Sequence, residues 1–384
     1  MKKAMKGLMA GSLIIALLAT MGCGGDDKKK APAPTPQKKT EQPVKKEAPN
    51  TGYKAPSGPK DTKGKTPDIK YTLTKLTGYE KDTKDNFGAG GMALYKNHLI
   101  IANTDEKTLE AVKIEGNTAS LDTSMFNNGV LKLKMGAADH PIPDNKGGFY
   151  YGNGFGADYF NGTAGMKATA PEVKLGTGGW SVVTAPEGNY AAVFHVGNNQ
   201  KVYKGTIANN VITAISDWEV IKVHKNSKDN SGKGPFYQIS DVKFADGLVY
   251  VMGNITEYFA KDKKGRSGSN VVVSFAPDGT QKQIYGNTDW MAGDGIKTGS
   301  KDFFVTKDYV VVIDTQAGRG LSLYNKNDGK YLGTFFSEQV LQDKRAKITG
   351  VGKISDKDWY IVWCNFEKPQ QNMSVRRIAR MTLQ

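Results

Sequence analysis

The chain has 384 residues, a net charge of +15 and two cysteines. Two thiols exclude a disulfide-stapled fold. The positive balance by itself would suit nucleic acid, but no basic-aromatic motif for that partner occurs, and the N-terminus directs the chain away from it.

Lys2, Lys3 and Lys6 precede an apolar run from Leu8 to Met21. The run is too short for a comfortable membrane span and has the charged start of an export signal. Thr20 and Gly22 place small residues at the third and first positions before Cys23, which suits cleavage at that bond. Residues 1–22 are therefore expected to be a signal peptide and Cys23 the first residue of the mature chain. This stretch resembles the bacterial lipoprotein signal, with Thr20 where leucine is usual. The resemblance implies lipid, palmitate included, on Cys23 and a place in the cell envelope, anchored on the extracytoplasmic side of a membrane.

Residues 24–68 hold eight prolines, eleven lysines, six acids and one aromatic, Tyr53. Such a segment cannot bury enough apolar surface to fold and reads, with Cys23, as a disordered lysine- and proline-rich linker. Extended at about 3.1 Å per residue it would reach roughly 140 Å, enough to hold a domain clear of a bilayer.

From residue 69 to 384 the composition turns to short apolar runs separated by turn residues, the pattern of one large all-β domain. Six stretches repeat a strand, a polar turn and a second apolar strand: "GMALYKNHLIIAN", "HPIPDNKGGFYYGN", "WSVVTAPEGNYAAVFH", "ISDVKFADGLVYVMGN", "FFVTKDYVVVID" and "ITGVGKISDKDWYIVWCN". Their second strands end at Asn103, Asn153, His195, Asn254, Asp314 and Asn365, spaced 50, 42, 59, 60 and 51 residues apart. Those intervals centre on the length of a four-stranded propeller blade. Asp278-Gly279 and Asp328-Gly329 sit between apolar strands and are expected to be hairpin turns.

A six-bladed β-propeller is expected, and a seventh, degenerate blade would have to lie between Ala157 and Gly179. "YTLTKL" from Tyr71 or the final "RRIARMTL" is left over to complete the other terminus's blade. The domain resembles extracytoplasmic β-propellers of the broad YncE and NHL kind through repeat shape alone.

Chemistry is sparse. His98, His140, His195 and His224 have no second histidine or cysteine at zinc-ligand spacing, so neither metal nor cofactor is expected. No P-loop, G-x-S-x-G or true G-x-G-x-x-G occurs, so no catalytic residue is assigned. Cys364 reads as a small buried thiol.

Turns after the second strand and links between blades share one face of a propeller. There Lys261, Lys263, Lys264, Arg266, Arg319, Lys344, Arg345 and Lys347 would form a basic rim, joined by Lys225, Lys228 and Lys233. Such a rim suits an anionic glycan, a lipid or an acidic protein. The six strand ends would make a polar ring facing the channel. The expected function is a membrane-anchored binding or envelope-assembly scaffold. The alternative is a propeller enzyme of the lactonase or quinoprotein sort, with its site over the central channel.

Overall fold

A computed structural model describes residues 64–384 except 84–88, 104–105, 134–140, 144–146, 153–156, 161–178, 185–190, 197–200, 209–210, 223–235, 256–269, 288–291, 297–301, 315–318 and 369–372. The fold is an all-β propeller, and the described residues include one short helix.

The chain enters through β1 (Tyr71–Lys75) and β2 (Lys81–Thr83). A first meander follows: β3 (Ala89–Tyr95), β4 (His98–Asn103), β5 (Thr108–Glu115) and β6 (Thr118–Leu121), with β7 (Val130–Lys132) added beside β5. Next come β8 (Ile142–Pro143), β9 (Phe149–Gly152) and β10 (Ala157–Phe160), a three-stranded sheet. The strands β11 (Gly179–Thr184), β12 (Ala191–Val196), β13 (Lys201–Ala208) and β14 (Val211–Lys222) pair in order. So do β15 (Phe236–Ala245), β16 (Leu248–Ile255), β17 (Asn270–Phe275) and β18 (Gln281–Tyr285). A further meander is β19 (Asp302–Val305), β20 (Tyr309–Ile313), β21 (Gly320–Asn325) and β22 (Tyr331–Phe336). Helix α1 (Ser337–Leu341) leads to β23 (Ala346–Lys353), β24 (Asp358–Lys368) and β25 (Met373–Leu383).

Four blades are described down to their side-chain packing: β3–β7, β15–β18, β19–β22, and β23–β25 with the N-terminal strands. This corrects the expectation of six four-stranded blades. The β8–β10 sheet has three described strands, and the β11–β14 sheet is described through its backbone pairing. The residues between Ala157 and Gly179, where a seventh blade would lie, are mostly outside the described set.

Antiparallel meanders packed face to face bury both sheet surfaces, so their middle strands are apolar throughout rather than alternating. Every residue of β17 is buried, as are five of the six in β4. One core joins β20–β22 to β23–β25 through Leu323, Phe335, Ile348 and Trp359. Another joins that terminal blade to the first one through Val362, Ile378, Leu99 and Ile101. The ring thus closes between its ends. Its seam mixes the two ends of the chain: β1 pairs antiparallel with β25, from Tyr71 opposite Leu383 to Lys75 opposite Ala379. Of the two segments left over in sequence, β1 is the one that completes the other terminus's blade.

The Asp-Gly pairs make the expected turns. Gly279 and Gly329 have φ of +86° and +72°, and the Asp278 and Asp328 carboxylates accept the amides of Thr280 and Lys330. Trp359 packs between blades against Phe304, and Cys364 is buried.

Candidate functional site

The terminal blade brings distant parts of the chain to one cleft. Strand alternation puts Trp363 and Asn365 of β24 on one face. The register sets Arg377 of β25 directly opposite Trp363, and β1 delivers Lys75 to the same side. The Lys75 ammonium lies 5.4 Å from the centre of the Trp363 ring and the Arg377 guanidinium 5.5 Å from it. Cations over an indole face are attracted by its quadrupole.

Residues 76–80 form the outer wall as a strap between the last and first blades. The Thr77 amide donates to Asn117 O at 3.0 Å, and the Ala119 amide donates to Thr77 O at 2.9 Å. The strap then turns at Gly78, whose φ is +94° and where a Cβ would stand 2.7 Å from Ala119 O. Only glycine fits that approach.

Side chains on opposite sides pin the strap. On the cleft side Arg377 Nε donates to Glu80 at 2.7 Å. On the buried side the Tyr79 hydroxyl donates to Glu110 at 2.7 Å, and Lys81 bridges Glu106 and Glu110. The fully buried Arg376 guanidinium stands 3.8 Å from Glu110. Burial, reinforced by Glu110, pushes the Tyr79 phenol far up, so it stays a neutral donor. Burial also raises the Cys364 thiol, with Arg376 opposing in part.

Between strap and strands lies a cleft of about 660 Å³, lined also by Asp343 from the link that precedes β23. Asn365 donates through Nδ2 to Asp343. Its Oδ1 has no partner although the residue is only 5% exposed, and Trp363 Nε1, in a residue 3% exposed, has none either. An unmet buried donor or acceptor costs about 1–3 kcal/mol. Both residues line the cleft, with Lys75 and Arg377 at its wall.

Several residues singled out by sequence pattern fall elsewhere. Lys261, Lys263, Lys264 and Arg266 lie outside the described residues, as do Lys225, Lys228 and Lys233. Lys344 and Arg345, next to Asp343, are exposed, and Lys347 is half-buried. Arg319 is not on a rim. It is buried, with Nε 3.1 Å from Asp314 and its NH2 nitrogen donating to Gly293 O, Ser322 and Thr334.

Four of the six strand-end residues are described. Asn103, Asn254 and Asn365 stand in second strands, each paired with the strand before it, and Asp314 follows one directly. Asn103 instead caps a turn by accepting the Glu106 amide at 3.2 Å. Asn153 and the side chain of His195 lie outside the described residues. Among the described residues of that set, Asn365 is the one that lines the cleft. Lys75, Glu80, Asp343 and Arg377 were not singled out by the sequence, because they meet only once β1 has paired with β25.

Among the described residues no group of three or more His, Cys, Asp or Glu side chains is placed to hold a metal ion. No family model and no curated protein matches the chain. Solved structures similar to it include a gluconolactonase from Xanthomonas campestris at 12% identity, covering 86% of this chain and 99% of that one, with a TM-score of 0.45. A protein of unknown function from Bacteroides thetaiotaomicron is 13% identical, with 82% and 77% covered and a TM-score of 0.49. A calcium-binding regucalcin from Agrobacterium tumefaciens is 11% identical, with 77% and 94% covered and a TM-score of 0.46. At such identities no activity passes to this chain.

Proposed function

We propose that this protein is a ligand-binding propeller, exported through its N-terminal signal and held at the extracytoplasmic face of a membrane by lipid on Cys23. The anchor rests on the spacing of Lys2, Lys3, Lys6, the apolar run and the small residues before the cysteine.

One observation carries the binding reading. Trp363 and Asn365 line one cleft, and each holds a buried polar atom, Nε1 and Oδ1, that has no partner. A folded protein recovers that cost when a ligand supplies the missing acceptor and donor. In the lining Lys75 and Arg377 balance Glu80 and Asp343, and the exposed Lys344 and Arg345, adjacent to Asp343 in sequence, add positive charge, so an anionic ligand is favoured. A glycan, a lipid headgroup or an acidic protein outside the cytoplasm has that chemistry.

The test is calorimetric titration of the purified protein with acidic oligosaccharide, anionic lipid vesicles and an acidic peptide. Binding is expected with one of them, weakened by salt and by Asn365→Ala. Binding that Asn365→Ala leaves intact would move the site away from the cleft. Turnover of a sugar lactone that stops on chelation would replace the binding reading with the lactonase one.

A further inference from the structure

We infer that Glu80 is a counter-anion built into the strap, competing with an anionic ligand for Arg377. The inference rests on the reading of the cleft as an anion site and assigns how access to that site is controlled.

The contact joins two groups of unequal freedom. Arg377 Nε donates to Glu80 at 2.7 Å, with the arginine side chain 19% exposed and the glutamate 63% exposed. Arg377 is held at the cleft wall by the pairing of β25 with β24 and by the Trp363 ring, 5.5 Å from its guanidinium. Glu80 can leave by rotating its own side chain, because the strap is fastened without it. Thr77 bonds Asn117 and Ala119 through the backbone, the Tyr79 hydroxyl bonds Glu110, and Lys81 bridges Glu106 and Glu110. An ion pair this exposed is weak and readily exchanged.

The charge of the lining gives the exchange its direction. With Glu80 in place, Lys75 and Arg377 balance Glu80 and Asp343. With Glu80 turned to solvent, Asp343 is the one carboxylate left among the lining residues, against the same two cations. The lining then carries one net positive charge. An anionic oxygen on Arg377 restores neutrality and replaces the charge-assisted bond that Glu80 gave up. A neutral or cationic ligand gains nothing from the exchange. Glu80 thus keeps Arg377 bonded until an anion displaces it, and turns away anions that bind the guanidinium more weakly than a tethered carboxylate does.

The experiment is calorimetric titration of the detergent-solubilised full chain with oligogalacturonate, a glutamate-rich peptide and glycerol phosphate, soluble probes of the glycan, protein and lipid-headgroup chemistries. Glu80→Gln keeps the shape and removes the charge at an exposed position. It is expected to tighten binding of the probe that binds by roughly twofold to fivefold, the factor to which an exposed ion pair corresponds. Arg377→Gln is expected to weaken binding and to abolish the gain from Glu80→Gln, and Arg377→Lys, which loses the Nε donor and keeps the charge, serves if the first variant does not fold. In the native chain the carboxyl carbon of Glu80, followed by NMR, should move on addition of that probe to the position it has in the Arg377 variant. Binding weakened by Arg377→Gln and unchanged by Glu80→Gln overturns the competition while the cleft remains an anion site. Weaker binding in Glu80→Gln also overturns it, because the carboxylate would then be a ligand contact. Binding that neither variant alters, or none with any probe, overturns the competition together with the reading of the cleft as an anion site.

Discussion

Arg319 and Asp314 form an ion pair at 3.1 Å with side chains only 4% and 1% exposed. They flank the link between β20 and β21, and the pair is buried in its blade, where one guanidinium nitrogen also donates to Gly293 O, Ser322 and Thr334. Buried charges persist where partners replace the lost water.

Removing one member should therefore cost more than the pair contributes. Arg319→Met leaves Asp314 buried without its counter-charge, and an unfolding free energy lower by about 3–5 kcal/mol is expected in urea. Replacing both, Arg319→Met with Asp314→Leu, should recover part of the loss. A single-variant loss below about 1 kcal/mol would mean that the pair behaves as an exposed one.

How much of this was legible in the sequence divides along one line. Strands, hairpins and the closing role of one terminus could be read, because "FFVTKDYVVVID" and its kin carry their own apolar runs and the Asp-Gly turns are local. The cleft could not, since Lys75 and Glu80 lie about 300 residues from Arg377 and meet it through the register of β1 on β25. Asn365 was found for the wrong reason. A polar residue at a strand end looks alike whether it faces a channel or bonds a link, as Asn365 does with Asp343.

The Asp122 carboxyl offers a pH test. The Ser124 hydroxyl and then His98, 2.6 Å away, hold it at about 2 against an ordinary 3.8. A carboxyl depressed in the folded state contributes stability that is fully present above about 3.8 and is lost as pH falls through about 2. Ser124→Ala should raise the titration midpoint of Asp122, read from its carboxyl carbon by NMR, and should reduce the slope of stability against pH in that window. An unmoved midpoint would assign the shift to another cause.

Lipid on Cys23 is tested by metabolic labelling with a fatty-acid analogue. The native chain should take up label and remain with membranes, whereas Cys23→Ser should do neither. Equal labelling of both chains would remove the anchor and leave a secreted propeller.

The last prediction concerns where the folded part begins. Composition put the boundary between residues 68 and 69, but backbone contacts start earlier. The Thr334 amide of β22 donates to Lys65 O at 2.7 Å, and the Tyr331 hydroxyl donates to the same oxygen at 3.4 Å. Composition missed this because the contacts are made by backbone, which leaves no apolar signature. Gly333 permits the approach: its φ is +149°, and an added Cβ would stand 2.6 Å from Pro67 Cα and 2.8 Å from Lys65 O. Gly333→Ala should therefore push residues 65–67 off β22, speed hydrogen exchange at the Thr334 amide by roughly tenfold or more, and lower the melting temperature. Gly116→Ala is the matched control, since Gly116 also has positive φ, at +57°, but nothing lies within 4 Å of the added Cβ. That variant should cost about 1 kcal/mol through backbone conformation alone and leave exchange at Thr334 unchanged relative to global stability. If both variants affect Thr334 alike, the N-terminal segment does not depend on the space at Gly333, and the fold begins at β1.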